Sequence, residues 1–557
     1  MPFATTGSIF DRQSNRIQEV LNKSLKVFLA GLDPVWRDSV VTSQGVGNSG
    51  DMGRDLKITK LFMGSLTGVI DPGRPYGEQD LYGDTTTSLG SLMHTQNTNQ
   101  AYPSPREGPN ATAYRLAIPM KSLVTNLMIT LGEKQADATP ALIDQVVAPK
   151  LTAFARNMAH TLCNYWYLSQ NSSYRLCTTS NAEVIRVASA GSVATHWKIR
   201  FNPANFETHR FTRGQRVDLI VPATGVRSND STGTIGSQSR TSRRQLIVEN
   251  VDALQNRVTL VTPNDVYTDF FDKAGSPAAV GTGAVPTTWT AETDFDSMAV
   301  VYANTTINGS NAGSNTFSGI AGINSWLKNG NETNTDGAKL LGAEADSVDF
   351  IDVNERPEFK SFKYDVAGVL TEYNLKRYLQ RVHSAFEPNG NTIDTLIASE
   401  GVWTAYEAQK IGQYRIDRTN RAASITNEGQ ADGFSFSFEG KTYKGSTSRY
   451  VEGGTLYGIK LGGKNWKKYI PPSPAGLSKM SQADAYVPFE FVAGAITGTS
   501  TNQLPMFAIS GSDNLVTQAS QMPGRIRMQL VPDQVNGMKL VGITEDRVYM
   551  PTSGNIA

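Results

Sequence analysis

Apolar positions along the chain change period several times, and the changes mark out its elements. From Ser14 to Leu32, Ile17, Val20, Leu21, Leu25, Phe28, Leu29 and Leu32 recur three or four residues apart, with Gly31 and Pro34 at the end. That spacing predicts one amphipathic helix. Being remote from other helical patterns, it has to dock on its own core or on a neighbouring subunit. Residues 56–70 and 111–131 read instead as strands. Between them, residues 71–110 hold five prolines and five glycines among many Thr, Asn and Gln, and no period lasts. So long a stretch without period is rare in a compact domain and usually has a function. Flanked by two strands it predicts a two-stranded arm, up to ~60 Å long if extended. Tyr76, Leu81, Tyr82, Leu89, Leu92 and Tyr102 along it suit contact with another protein surface.

The strongest helical stripe lies between Thr139 and Leu168. Thr139 suits an N-cap and Pro140 the first helical position. Leu142, Val146, Val147, Leu151, Phe154, Met158, Leu162 and Tyr165 then form one apolar face. Pro149 should bend the helix rather than end it, because the stripe resumes in register at Leu151. At ~1.5 Å per residue the helix would be ~40 Å long.

Residues 183–300 turn to strand patterning in RFTRGQRVDLIV and RQLIVENVDALQNRVTLVT, with a turn at Asp252 to Asn256. The stretches 224–243 and 273–292 are rich in Gly, Ser, Thr and Pro and read as surface linkers. Ile320 to Leu327 precedes an irregular loop. Thr371 then caps a helix with Leu375, Tyr378, Leu379, Val382 and Phe386 on one face. A short buried strand, Thr392 to Ala398, leads into a helix from Glu400 to Ala408. Further strands follow at Phe434 to Phe438, from Tyr443, and at TLYGIKL. VPFEFVAGAI, RIRMQLVP and MKLVGIT extend the strand pattern through residues 471–557.

Composition narrows the class. Hydrophobic residues at 39% and aromatics at 9% indicate a globular chain, while only 18% charged residues favours strands and ordered loops over helical bundles. Lys plus Arg number 52 against 51 Asp plus Glu, a net charge of +1, so no global basic field draws in nucleic acid. No apolar run is long enough for a membrane span, and the N-terminus lacks the basic and apolar regions of a signal peptide. Cys163 and Cys177 cannot supply a disulfide framework, which fits synthesis in a reducing cytoplasm.

Catalytic signatures are missing. Gly45 to Gly50 matches GxGxxG by letter, but a strand-like stretch follows where a nucleotide-binding turn needs a helix, so a turn is the better account. Gly440-Lys441-Thr442 resembles the end of a phosphate-binding loop, yet Ser435 stands where its first glycine belongs and strands flank it. His94, His160, His196, His209 and His383 show no metal-ligand spacing. Neither GxSxG nor HExxH occurs. No catalytic, cofactor or metal residue is expected, and the chain reads as no enzyme.

The order of elements resembles the major capsid protein of tailed bacteriophages, the fold shared with herpesviruses. IPMKSLVTNLMITLGEKQADATPALIDQVVAPKLTAFARNMAHTLCNYWY is similar to that family's passage from extended loop to spine helix. RGQRVDL and VENVDALQNRVTLVT resemble small inserted barrels of such proteins. TIDTLIASEGVWTAYEA and FSFSFEGKTYKGSTSRYVEGGTLYGIKL resemble the family's axial domain.

The resemblance implies an α+β chain divided as follows: an N-terminal arm with its helix at 1–55, the extended loop and flanking peripheral strands at 56–135, and the spine helix at 136–170. A β-rich insertion at 171–300, an axial domain at 301–470 and C-terminal return strands of the peripheral domain at 471–557 complete it. It implies hexamers and pentamers of identical subunits closing an icosahedral head shell in the virion. The first helix and arm would latch onto a neighbour or guide maturation. Some members link a loop lysine to a neighbour's asparagine; residues 71–110 contain no lysine, so no such bond is expected from the loop. With about 55 residues before the first strand of the arm, a separate scaffolding protein is expected, with a portal, possible decoration proteins and weakly contacted DNA as further partners. The rival readings are a tail or decoration component, and a β-rich hydrolase whose site escapes the sequence.

Overall fold

The computed structural model describes residues 21, 23–42, 55–62, 112–119, 122–130, 148–168, 176–188, 194–220, 230–235, 238–243, 246–261, 299–302, 322–330, 353–354, 359–387, 391–417, 435–469, 489–491, 507–508 and 519–546. In chain order they begin with helix α1 (residues 23–32), the short helix α2 (Pro34–Asp38) and strand β1 (Val40–Thr42). Strands β2 (Asp55–Phe62), β3 (Thr112–Pro119) and β4 (Ser122–Thr130) come next, then the long helix α3 (Ala148–Tyr167). One unit holds residues 46–119 and 347–349; the other holds the remainder.

In the first unit, β2 and β3 pair antiparallel without a break, from Asp55 opposite Pro119 to Phe62 opposite Thr112. These are the strands expected at the foot of the arm. Residues 71–110 lie outside the described residues, as does Gly45 to Gly50; the first described element after that hexapeptide is the strand β2.

In the second unit, α1 buries Leu25 and Leu29 and leaves Val27 68% exposed, and Leu21 before it is buried as well. Of the two docking options, these three leucines take the first, packing on the chain's own core; residues 1–20 lie outside the described residues. Gly31 lies inside the helix, and Pro34 begins α2 instead of ending α1. Asp33 caps that second helix, and Pro34 occupies a first-turn position where its missing N–H costs nothing.

Over its described 20 residues, ~30 Å, α3 buries Leu151, Met158, Leu162 and Tyr165 as the stripe predicts. Ala155, Ala159, Cys163 and Trp166 join them, while Phe154 is only half-buried. The expected cap at Thr139 and the stripe residues Leu142, Val146 and Val147 lie outside the described residues.

Beyond α3 come β5 (Cys177–Ala188), β6 (Ala194–Pro203), a 3₁₀ turn (Ala204–Arg210), β7 (Arg216–Ile220), β8 (Asp230–Ile235), β9 (Gln238–Arg243), β10 (Leu246–Asp252), β11 (Arg257–Val261) and β12 (Ala299–Tyr302). Six of these strands close a barrel in the order β10-β11-β6-β5-β12-β7. Leu176, Ile199, Phe201, Val217, Leu219, Leu246, Val248, Val258, Leu260 and Val300 fill it, with Tyr165 and Leu168 of the α3 end packed into the same core. Asp252 Oδ1 accepts the N–H groups of Leu254 and Gln255, and Asn256 takes φ +49°, which makes the tight turn between β10 and β11. Residues 224–243 are not merely a linker, since β8 and β9 pair as an antiparallel hairpin across Asp230 to Arg243. Their Ser and Thr alternate well enough to pair but supply no apolar face for the pattern to register.

The remaining elements are α4 (Ile323–Trp326), β13 (Phe362–Gly368), α5 (Glu372–Phe386), β14 (Thr395–Ala398), α6 (Glu400–Asp417), β15 (Ser435–Phe438), β16 (Lys441–Thr447), β17 (Leu456–Ile459), β18 (Trp466–Tyr469), β19 (Phe489–Phe491), β20 (Phe507–Ala508), β21 (Ala519–Arg527), β22 (Gln529–Pro532) and β23 (Met538–Ile543). A mixed six-stranded sheet runs β13-β23-β17-β14-β16-β15. Leu375, Leu379, Val382 and Phe386 of α5 share one core with Val402, Trp403 and Tyr406 of α6 and with Leu396, Tyr443, Leu456, Met538 and Leu540 of the sheet. Thr371 caps α5 by accepting the Asn374 N–H at 3.2 Å. Glu439 and Gly440, at φ +50° and +75°, form the turn between β15 and β16, so Gly440-Lys441-Thr442 is a hairpin corner and no phosphate loop.

The C-terminal strands divide among three sheets. β21 pairs with β4 and with β19 and β20. β22 pairs with β18, which also takes β1 in parallel. β23 inserts between β13 and β17 in the six-stranded sheet, whereas the sequence reading returned the whole of 471–557 to the strands beside the loop.

Candidate functional site

No group of three or more His, Cys, Asp or Glu able to hold a metal occurs among the described residues. No described helix is long and apolar enough to cross a membrane. Cys163 and Cys177 are free and buried. What the fold builds instead is a joint, where α1 and α2, α3, the turn before β17, and β18 come together.

Asp33 is the centre of that joint. Its Oδ1 accepts the N–H groups of Val35 at 2.9 Å and Trp36 at 3.4 Å. Its Oδ2 accepts the hydroxyls of Tyr167 on α3 and Ser448, each at 2.7 Å. Burial pushes the carboxyl above its usual value, and the four donors pull it back. On β18, Lys468 donates to the Trp36 carbonyl at 2.6 Å and lies 5.7 Å from the Trp36 ring centre. Around them Trp36 meets Trp166 edge-on at 6.3 Å and Trp166 meets Trp466 at 5.1 Å, all three fully buried. Burial, then the Asp33 charge, raises the Cys163 thiol far from reactivity.

Two further joints tie the barrel and α4 to the same helix. Arg210 donates to the carbonyls of Leu176 at 3.1 Å and Tyr450 at 2.9 Å, and its own carbonyl accepts Asn164 of α3 at 3.1 Å. Asn324 of α4 donates to the Tyr167 carbonyl at 3.2 Å and accepts Tyr457 of β17 at 3.1 Å and Lys539 of β23 at 2.8 Å. Helix α3 is therefore the beam to which the N-terminal helices, the barrel and the sheet are each bolted.

Two of the described histidines face one tyrosine ring, and the third, His383, has other partners. His160 packs edge-on against Tyr450 at 5.1 Å and is lowered to about 4, by burial first and Arg449 second. His209 faces the same ring at 6.4 Å. His383, in the last turn of α5, hydrogen-bonds Tyr443 and has Glu439 at 3.6 Å; burial and then Lys441 lower it. His94 and the side chain of His196 lie outside the described residues. Sequence reasoning passed over Asp33, Lys468 and the three tryptophans. For Asp33 a signal existed, since Asp-Pro straight after a helical stripe reads as a new N-cap; nothing local marks Lys468.

No family model matches the chain, and no curated protein matches it. Solved structures that resemble it include three from phages. One is the cyanophage A-1(L) capsid asymmetric unit, 9% identical with a TM-score of 0.36, covering 91% of each chain. A Mycobacterium phage Adephagia structure is 9% identical with a TM-score of 0.29, covering 93% of this chain and 91% of that one. The capsid structure of cyanophage P-SCSP1u is 8% identical with a TM-score of 0.28, covering 91% and 87%. All three stand below a TM-score of 0.5, so the functional reading has to come from the chain's own elements.

Proposed function

We propose that this chain is the major capsid protein of a tailed bacteriophage, assembling as hexamers and pentamers into the icosahedral head shell. The observation that carries the reading is the paired β2 and β3 at the foot of residues 63–111, followed along the chain by β4 and the beam helix α3. So long a stretch of chain between two strands paired in a continuous ladder suits contact with something outside its own core. A chain that closes rings of both five and six needs heterologous contacts that tolerate small rotations. In this account the limb supplies the adaptable contact and α3, with its three bolted joints, keeps each subunit rigid. Many modest interfaces summed around closed rings then give a strength no single contact has.

The role is structural rather than enzymatic. A separate scaffolding protein, a portal, decoration proteins and weak, non-specific contact with packaged DNA belong to the same proposal; the net charge of +1 agrees with loosely held DNA. The test is deletion of residues 76–105. Subunits should stay soluble and folded yet fail to form shells, read by sizing chromatography and electron microscopy. Normal shells from the deletion would refute the role given to the loop.

A further inference from the structure

Four stretches remote in sequence come together around α2, and two titratable side chains tie them together. Asp33 joins α2 to Tyr167 and to Ser448, and Lys468 joins it to β18. Neither side chain is more than 2% exposed. β1, which follows α2, pairs in parallel with the strand that carries Lys468, placing Val41 opposite it. The N-terminal segment is thus held at both α2 and β1 through the same strand. Apolar residues of equal volume would hold this joint at any pH. A buried amine and a buried carboxyl, each able to change its protonation, make the joint conditional. We propose that Asp33 and Lys468 form a pH-dependent lock, which seats residues 21–42 on the body and lets that segment leave as a unit on acidification.

The direction follows from where protons bind. Burial lowers Lys468 to about 6, with Lys26 of α1 adding to the effect and Cys163, Asp33 and Asp38 opposing it. Released into water, the amine returns toward its ordinary 10.5. Release therefore takes up a proton anywhere between about 6 and 10.5. It becomes more favourable by up to about tenfold for each pH unit lowered in that window, and levels off below it. Asp33 acts oppositely and further down: its seated carboxyl is raised above 3.8, so it protonates before the free one and opposes release at low pH. Among the described residues, the other groups around Asp33 and Lys468 include Lys26 on α1, Asp38 on α2, Cys163 and Tyr167 on α3, and Arg449 beside Ser448. Burial drives Cys163 and Tyr167 upward, away from neutrality, and leaves Lys468 to titrate across it.

Hydrogen–deuterium exchange of the full chain from pH 9 to pH 5, corrected for intrinsic rates, tests the lock. Residues 23–39 should lose protection by up to about tenfold per pH unit down to about 6 and then level off, while α5 and β14 hold theirs. Lys468→Met should flatten that slope, and Lys468→Gln serves if the methionine variant does not fold. A pH-independent segment, an equal slope in the variant, or loss of protection by α5 and the segment together would overturn the proposal. The lock belongs to the single chain, so its failure would leave the shell reading standing, and the reverse.

Discussion

Replacing Asp33 by alanine tests whether the buried joint holds the N-terminal helices. The change removes the N-cap of α2, worth about 1 kcal/mol. It also strands the hydroxyls of Tyr167 and Ser448, buried donors that cost about 1–3 kcal/mol each when unpaired. Because the losses share one partner they will not simply add, and about 3–6 kcal/mol is the expected total. Asparagine at the same position keeps the cap, and both hydroxyls can turn to accept from its amide, so Asp33→Asn should cost only about 1–2 kcal/mol. Against whole-domain stabilities of about 5–15 kcal/mol the difference is large. Urea unfolding followed by tryptophan fluorescence is a direct assay, because Trp36, Trp166 and Trp466 surround the site. The ranking decides: alanine well below asparagine, asparagine below wild type. An alanine variant as stable as the asparagine one, or both equal to wild type, would refute the reasoning.

Gly322, before α4, lies so close to α3 that a Cβ there would overlap the Trp166 carbonyl oxygen and stand 2.8 Å from that of Tyr165. Both are backbone atoms that cannot swing aside, so Gly322→Ala should destabilise by about 1–3 kcal/mol, seen as a lowered melting temperature; an unchanged one would show that α4 and α3 can separate freely. His383 is held below its usual 6.5, so its contribution is complete above 6.5 and fades as pH falls toward its folded value, where the unfolded chain binds the extra proton. His383→Phe should therefore flatten the fall in melting temperature between pH 7 and pH 5, and an identical pH profile would show that His383 does not titrate in this window.

Much of this architecture is legible in local pattern. The α3 stripe from Leu151 to Tyr165, the Thr371 cap and the Asp252–Asn256 turn are each decided by residues within a few positions of one another, and the structure places them as expected apart from the half-buried Phe154. Partner choice is another matter. β23 reads plainly as a strand, but that it enters between β13 and β17 depends on residues far away in the chain. Closure of the barrel through β7 with β10 and through β5 with β12 is equally non-local. The β8–β9 hairpin escaped because both its faces are polar. At the candidate site the difficulty is sharper: Asp33 finds Ser448 415 positions on, and Lys468 finds Trp36 432 positions back. Single charged residues in such places look like ordinary surface residues until the fold buries them.

The proposed function stands on identical copies of this chain closing into a shell. Electron microscopy of the purified full-length protein, alone and co-expressed with a scaffolding protein, measures that most directly. Closed icosahedral particles containing rings of six and five subunits are the expected result. Tubes or isolated trimers would point to a tail or decoration component, and a protein that remains monomeric under both conditions would contradict the account.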